Sequence, residues 1–396
     1  MKIAITHFNL ATESGDTRLL YTKARTLAAI GHSVDIYTVL FDKACFPELH
    51  KGLNIIVVPL SHGASDHIPH ADGAWRMVVQ RIKYLRFSAK AAKAIKRELK
   101  NGYDIVDFQD DSSYHIASSY KKDNPNARLI WTMNTCPYYR TRKKSFFINI
   151  FSIVASLWER MKVGWYVRGI DFVIVNGDEQ KESIEETVSP KKVVLMRLPV
   201  DFDAFFCNIR KAHDPVVLLT IGSLSSARRF EDVIIAAAKL RDDGYESRTN
   251  IICKDFSKNK TYKDSLLRLA KENDMESFVK FYFEGASEDE LKRIQRESDI
   301  FIFPNTTRIW SMIAFESMAA GLALVASDAT NVVEVLEDKV NAVFSKSGDP
   351  SSIAEKIEYL LDNPEIYERI SRNGQEFVRE NLAWDKYAEK IFNLKK

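Results

Sequence analysis

The chain has 396 residues, 45% of them hydrophobic, which is enough for two domains of ordinary size. Its four cysteines (Cys45, Cys136, Cys207 and Cys253) lie far apart, with no CxxC and no histidine at metal spacing. That excludes a disulfide framework and a structural zinc site and points to a reducing compartment. The net charge of +3 is uneven: 76–100 carries nine Lys or Arg against Glu98 alone, and 137–168 seven against Glu159 alone.

Those two basic stretches predict an anionic surface, and not a nucleic acid, as partner of the N-terminal half. From the N-terminus, Lys2–Thr6 is predicted as a strand, its apolar run being too short for a signal peptide. A polar loop, His7–Thr17, and a helix over Arg18–Ile30 follow, and further strands are predicted over Ser33–Val39 and Asn54–Val58. This alternation marks a parallel, doubly wound α/β sheet. The first loop lacks GxGxxG, which counts against a nicotinamide or flavin site. Ser14, Gly15 and Asp16, just ahead of the helix, suit either backbone contacts to a phosphate or an ordinary helix cap.

Trp75–Leu99 reads as a basic helix and Tyr103–Phe108 as a strand running into Gln109, Asp110, Asp111 and Ser112. The paired carboxylates suit general acid–base work or, more commonly, a helix cap. Arg128–Thr132 is the next strand, ending near Asn134. Phe147, Ile150, Phe151, Val154, Leu157, Met161 and Trp165 then recur at steps of three and four between basic flanks. The segment is too short to span a bilayer. It suits a helix in the membrane interface, or one packed on the sheet with its charged ends in water. No run of about 18 apolar residues occurs anywhere, so the protein is expected in the cytoplasm, peripheral at the inner face of the cell membrane.

Strands over Asp171–Val175 and Lys192–Met196 flank a helix over Gly177–Glu186. The stretch 201–214 reads as a linker between a first domain, 1–200, and a second, 215–379, with a last helix from about 380 packing back on the first. In the second domain strands are predicted over Val216–Ile221, Asn250–Cys253, Val279–Phe283, Ile300–Phe303 and Leu322–Ala326. Helices are predicted over Phe230–Asp242, Tyr262–Asn273, Glu288–Arg296, Met312–Ala320, Ser351–Asp362, Pro364–Asn381 and Asp385–Leu394. Within Pro304–Ser327 a helix N-terminus follows a buried strand, and so falls at the carboxyl edge of a parallel sheet, where anions and nucleotides bind. Glu316, between Phe315 and Ser317 in that helix, is either on a solvated face or part of a site.

FESMAAGLALVAS, Phe315–Ser327, is similar to the signature E-A-M-A-x-G-x-P-V-V-A-[ST] of the retaining GT-B glycosyltransferases called family 4. Weaker matches occur in the same order: GHSVDIYT from 31, DFVIVNGDEQKESI from 171, LPVDFDAF from 198, IGSLSSARRFEDVI from 221 and EGASEDELKRIQRESDIFIFPN from 284. The resemblance covers nearly the whole chain. It implies two Rossmann-like domains facing a cleft, a nucleotide diphosphate sugar as donor substrate, and no metal or other cofactor. The acceptor is expected on the first domain, lipid-linked or part of a surface polysaccharide.

Residue by residue, the resemblance implies that Glu316 accepts from the donor ribose and that the backbone at Ser311, Met312 and Ile313 meets the diphosphate and sugar. Arg228 or Arg229 is expected on the diphosphate, with Gly222, Gly285, Gly15 and Asp16 completing the donor contacts. Gln109, Asp110 and Asn134 are expected on the acceptor side. The chain also departs from the family. Arg308 stands where a first Glu is usual, and is expected to pair with a carboxylate on an acidic donor sugar or with the diphosphate. Gln109 and Asn134 stand where histidines are common, and Ser223 replaces an Arg. A non-catalytic nucleotide-binding or scaffold protein and a sugar-nucleotide epimerase remain alternatives.

Overall fold

A computed structural model describes residues 1–60, 74–110, 113–134, 157–254, 260–306 and 310–394, and of 74–82 the backbone alone. The chain forms two compact units, Met1–Arg197 with Ala388–Lys396, and Leu198–Tyr387. Cys136, Arg308, Asp111 and most of the apolar segment before Leu157 lie outside the described residues. Cys45, Cys207 and Cys253 form no disulfide among the described residues.

In the first unit the strands are β1 (Lys2–Thr6), β2 (Asn9–Leu10), β3 (Ser33–Thr38), β4 (Leu40–Phe41), β5 (Asn54–Val57), β6 (Ile105–Phe108), β7 (Arg128–Met133), β8 (Phe172–Val175) and β9 (Val193–Leu195). Seven form one sheet in the order β5-β3-β1-β6-β7-β8-β9, all parallel, while β2 and β4 pair separately. Every residue of β6 and β8 is buried, as expected of parallel strands covered on both faces. The helices are α1 (Gly15–Ala29), α2 (Pro47–His50), α3 (Ala74–Glu98), α4 (Ala117–Asp123), α5 (157–166) and α6 (Asp178–Glu185). One buried ion pair sits inside this core. Asp107 of β6 accepts from Lys23 Nζ of α1, Gln109 Nε2 and Thr132 Oγ1, each at 2.7 Å. The buried carboxylate of Asp107 is thus met by three donors.

The second unit repeats the plan. Its strands are β10 (Val216–Ser223), β11 (Ser247–Lys254), β12 (Val279–Tyr282), β13 (Ile300–Phe303), β14 (Ala323–Ser327) and β15 (Val343–Ser345), in the order β12-β11-β10-β13-β14-β15. Its helices are α7 (Phe202–Phe205), α8 (Phe230–Asp242), α9 (Lys260–Glu272), α10 (Glu288–Arg296), α11 (Met312–Ala319), α12 (Pro350–Leu361), α13 (Pro364–Asn381) and α14 (Trp384–Asn393). Val233, Ile234 and Ala237 of α8 pack with Ile353 and Ile357 of α12 on one face. Phe315 and Met318 of α11 pack with Val378 of α13 on the other. From Ala388 on, α14 belongs to the first unit, where the Phe392 ring lies 4.7 Å from that of His32.

The stretch read as a linker is in large part built into this second unit. Phe202 and Phe205 of α7 are buried in its core, and Gln375 Nε2 donates to Cys207 O at 2.8 Å. Arg210 donates to Ser298 O, and His213 Nδ1 lies 2.8 Å from Asp299 Oδ1. Asp299, fully buried, also accepts from the Val217 N–H at 2.8 Å, so one carboxylate ties the strap, β10 and β13 together. Asp299→Ala is therefore expected to cost roughly 2–3 kcal/mol, because a charge-accepting hub is lost and its buried donors are orphaned. Urea unfolding followed by circular dichroism checks this, and an unchanged midpoint would show that the strap is not held there.

Candidate functional site

In each sheet the strand order reverses once, between β1 and β6 in the first unit and between β10 and β13 in the second. Loops leaving two such strands diverge to opposite faces and open a crevice at their carboxyl ends, the usual ligand position in open α/β sheets. In the second unit this edge brings together the turn after β10 and the loop after β13: Thr306 N–H donates to Ala227 O at 3.2 Å. Trp310, buried, stacks on Phe315 of α11 with ring centroids 4.9 Å apart, which fixes where α11 starts. Ser311 is the N-cap of α11 but makes no side-chain capping bond, so the first-turn N–H groups at Met312 and Ile313 remain at the half-buried helix end. Glu316, one turn on, is 3% exposed between Phe315 and Ser317.

The adjacent arginines have separate surroundings. Arg229 takes a left-handed backbone (φ +52°) at the N-cap of α8. Its guanidinium grips Asp232 through two bonds of 2.8 and 2.6 Å and lies 3.1 Å from Glu231. Asp232 holds the Arg229 proton more tightly than usual, while burial pushes the Asp232 carboxyl up. Arg228, by contrast, has no ion pair among the described residues. It lies across Gly222, where a Cβ would come within 3.0 Å of Arg228 Cδ. Burial lowers its pKa, yet a guanidinium stays charged at any physiological pH. The result is a partly desolvated cation beside a helix N-terminus, a setting that attracts an anion. Two polar groups at this edge carried no role in the sequence: Lys254, whose stem lies 3.4 Å from a Cβ on Gly285, and Asn305, buried with Nδ2 unpartnered. Gly285 itself turns with φ +80° after β12.

At the matching edge of the first unit, Gln109 and Asn134 adjoin: Asn134 Nδ2 donates to Gln109 O at 3.1 Å. Gln109 Oε1 and Asn134 Oδ1 are buried acceptors without a hydrogen-bond partner among the described residues. Asp110 is occupied with the backbone, accepting from Phe8 N–H at 3.0 Å and Ser113 N–H at 2.7 Å, as a loop clamp does. Ser14 accepts from Thr17 N–H and caps α1, leaving Gly15 and Asp16 exposed in its first turn. His7, at the end of β1, belongs to this edge too and was not singled out by any motif. Its Nδ1 faces the Asn9 N–H at 3.2 Å, which a neutral ring accepts.

Residues 201–377 match the family model described as "Glycosyl transferases group 1". Over most of its length the chain is similar to an uncharacterized glycosyltransferase of Methanocaldococcus jannaschii, at 22% identity over 391 residues, 94% of this chain and 92% of that protein. It is also similar to mannosylfructose-phosphate synthase of Agrobacterium fabrum, at 21% over 405 residues, 97% of this chain and 86% of that one. The structure of HepE from Anabaena in complex with UDP aligns over 100% of both chains, with a TM-score of 0.73 and 13% identity. The fold is GT-B, as the sequence pattern led us to expect. The group 1 match falls within the second unit and spans a little under half of the chain.

Burial holds the pKa of His7 down at about 4, against an ordinary 6.5. The unfolded chain therefore binds the extra proton more readily. Stability from the neutral ring is complete above pH 6.5 and is lost as pH falls towards 4. His7→Asn is expected to flatten the pH dependence of the urea midpoint in that window, by up to about 3 kcal/mol. An imidazole signal titrating near 6.5 in the folded protein would refute it.

Proposed function

We propose that the protein moves a sugar from a nucleoside diphosphate donor, with retention and without a metal, to an acceptor held at a membrane surface. The observation that carries this reading is Arg228: a half-buried guanidinium across Gly222, with no ion pair among the described residues, in the turn whose Ala227 O accepts from Thr306 N–H at the strand-order reversal. Breaking the bond between the anomeric carbon and the diphosphate oxygen leaves negative charge on the diphosphate. Arg228 and the N–H groups at Met312 and Ile313 offset that charge in a partly dry setting. Glu316 accepts from the ribose hydroxyls, and Lys254 and Asn305 add donors at the same edge.

The new bond forms between the acceptor oxygen and the anomeric carbon on the face the diphosphate leaves. The acceptor proton passes to a departing phosphate oxygen, so no side-chain base is required, and neither Gln109 nor Asn134 is one. Their unpartnered amide oxygens suit holding an acceptor hydroxyl instead. Arg229 is assigned to structure because two carboxylates occupy it. Arg308 is proposed to meet a carboxylate on the donor sugar, or the diphosphate. A lipid-linked or surface polysaccharide acceptor is supported by the exposed basic face of α3 from Lys83 onward and by the exposed apolar side chains of α5. No helix among the described residues is long and apolar enough to cross a membrane.

Calorimetric titration with UDP and UDP-glucose, chosen because HepE is seen with UDP, tests the assignment. Arg228→Ala is expected to weaken binding roughly 10- to 100-fold, the worth of a charge-assisted hydrogen bond. Arg229→Ala should instead lower the unfolding midpoint and leave affinity near that of the parent. Equal weakening by both, or binding without transfer from any donor in a panel, contradicts the reading.

A further inference from the structure

One face of the first unit carries features that sugar transfer does not use. A groove of about 430 Å³ opens among α3, α4 and α5. Lys93 and Lys96, one turn apart on α3, and Lys122 at the end of α4 line it, together with Ser118, Ser119 and Trp165. All three lysines are exposed, and among the described residues no carboxylate lines the groove or pairs with them. His115 also lines it, with Nε2 buried and unpartnered. Burial, helped by nearby Lys162, keeps that ring neutral, with a pKa of about 4. The walls are firmly joined. Ser118 Oγ donates to Tyr166 O at 3.0 Å, and Gly169 comes so near that a Cβ there would lie 2.6 Å from Ser118 Cα.

Beside the groove, α5 turns apolar side chains to solvent. Leu157, Trp158, Met161 and Trp165 are 54%, 59%, 68% and 63% exposed. At 3.6 residues per turn they fall within about 100° of helix arc, the pattern of an unpartnered amphipathic face. Trp165 belongs to both arc and groove, and Arg168 sits 5.0 Å from its ring centroid. Four side chains on one helix make a patch well below the roughly 800 Å² per partner of a stable protein interface. Aromatic and aliphatic side chains next to unneutralised lysines match the boundary between anionic headgroups and acyl chains.

We propose that this face docks on an anionic phospholipid bilayer, with a headgroup phosphate in the groove between Lys93, Lys96 and Lys122 and the α5 arc at the acyl boundary. The inference deepens the membrane-surface part of the proposed function and rests on it. Each lysine near such a surface contributes about a five-fold gain in partitioning.

Co-sedimentation of the full chain with vesicles of phosphatidylcholine, with and without phosphatidylglycerol, tests it. Binding is expected to the anionic vesicles, to fall with salt, and to drop about five-fold for Lys93→Ala and roughly 100-fold for the triple Lys93→Ala, Lys96→Ala, Lys122→Ala variant. These residues are exposed, so the urea midpoint should not move. Trp158→Ser with Met161→Ser should weaken binding with the lysines intact. Vesicle binding that ignores the lysine variants would overturn the groove while leaving membrane association standing. Binding to no vesicle, self-association through α5, or displacement from vesicles by inorganic phosphate at equal affinity would overturn the proposal. UDP titration of the same variants reads the donor site independently.

Discussion

The reversal of strand order between β10 and β13 is the constraint from which the donor side follows. Parallel strands send every helix N-terminus to the same sheet edge, and the reversal sends α8 and α11 to opposite faces. The turn after β10 and the loop after β13 are left side by side, joined by the hydrogen bond between Thr306 and Ala227. The cation, the uncapped helix end and the buried carboxylate of Glu316 follow strands that are buried throughout in β13 and over half of β10.

Rigidity at that edge is maintained from the far end of the sheet. Asp299 stands just before β13, out of water, and collects donors from the chain that enters the unit. A buried carboxylate is tolerated because each oxygen has a partner; stripped of them, it would be costly to keep charged. Asp107 plays the same part in the first unit, and it also holds the amide of Gln109, whose Oε1 is buried without a hydrogen-bond partner among the described residues. Between these fixed points the neighbouring arginines divide the labour. Arg229 accepts a left-handed backbone in order to close the turn onto Asp232, and that turn presents Arg228 across the one strand residue without a side chain.

Much of this was legible in the residues. The helices Phe230–Asp242, Glu288–Arg296 and Pro364–Asn381 fall where the pattern places them, because local chemistry marks the ends: Ser287 caps Glu290 N–H, and Pro364 stands at a first turn. The strand Ile300–Phe303 is an uninterrupted apolar run and needs no partner to be recognised. What the residues did not disclose depends on distant contacts. The three-residue β15 and the two-residue β2 and β4 exist only through their neighbours. The apparent linker has no strand or helix periodicity of its own, yet Phe202 and Phe205 are buried because α11 and α13 offer them a surface. Arg228 and Arg229 are indistinguishable as letters, and only the position of Asp232 one helical turn away separates them. His7 carries no motif, and its neutrality comes from burial beside β3.

Hydrogen exchange of the full chain with and without a saturating nucleoside diphosphate sugar addresses the central claim most directly, since it reports on the backbone amides named as the phosphate cradle. The account predicts new protection in the turn from Gly222 to Arg228 and in the first turn of α11, at Met312 and Ile313. Tight binding that leaves both segments exchanging as in the free protein would contradict it.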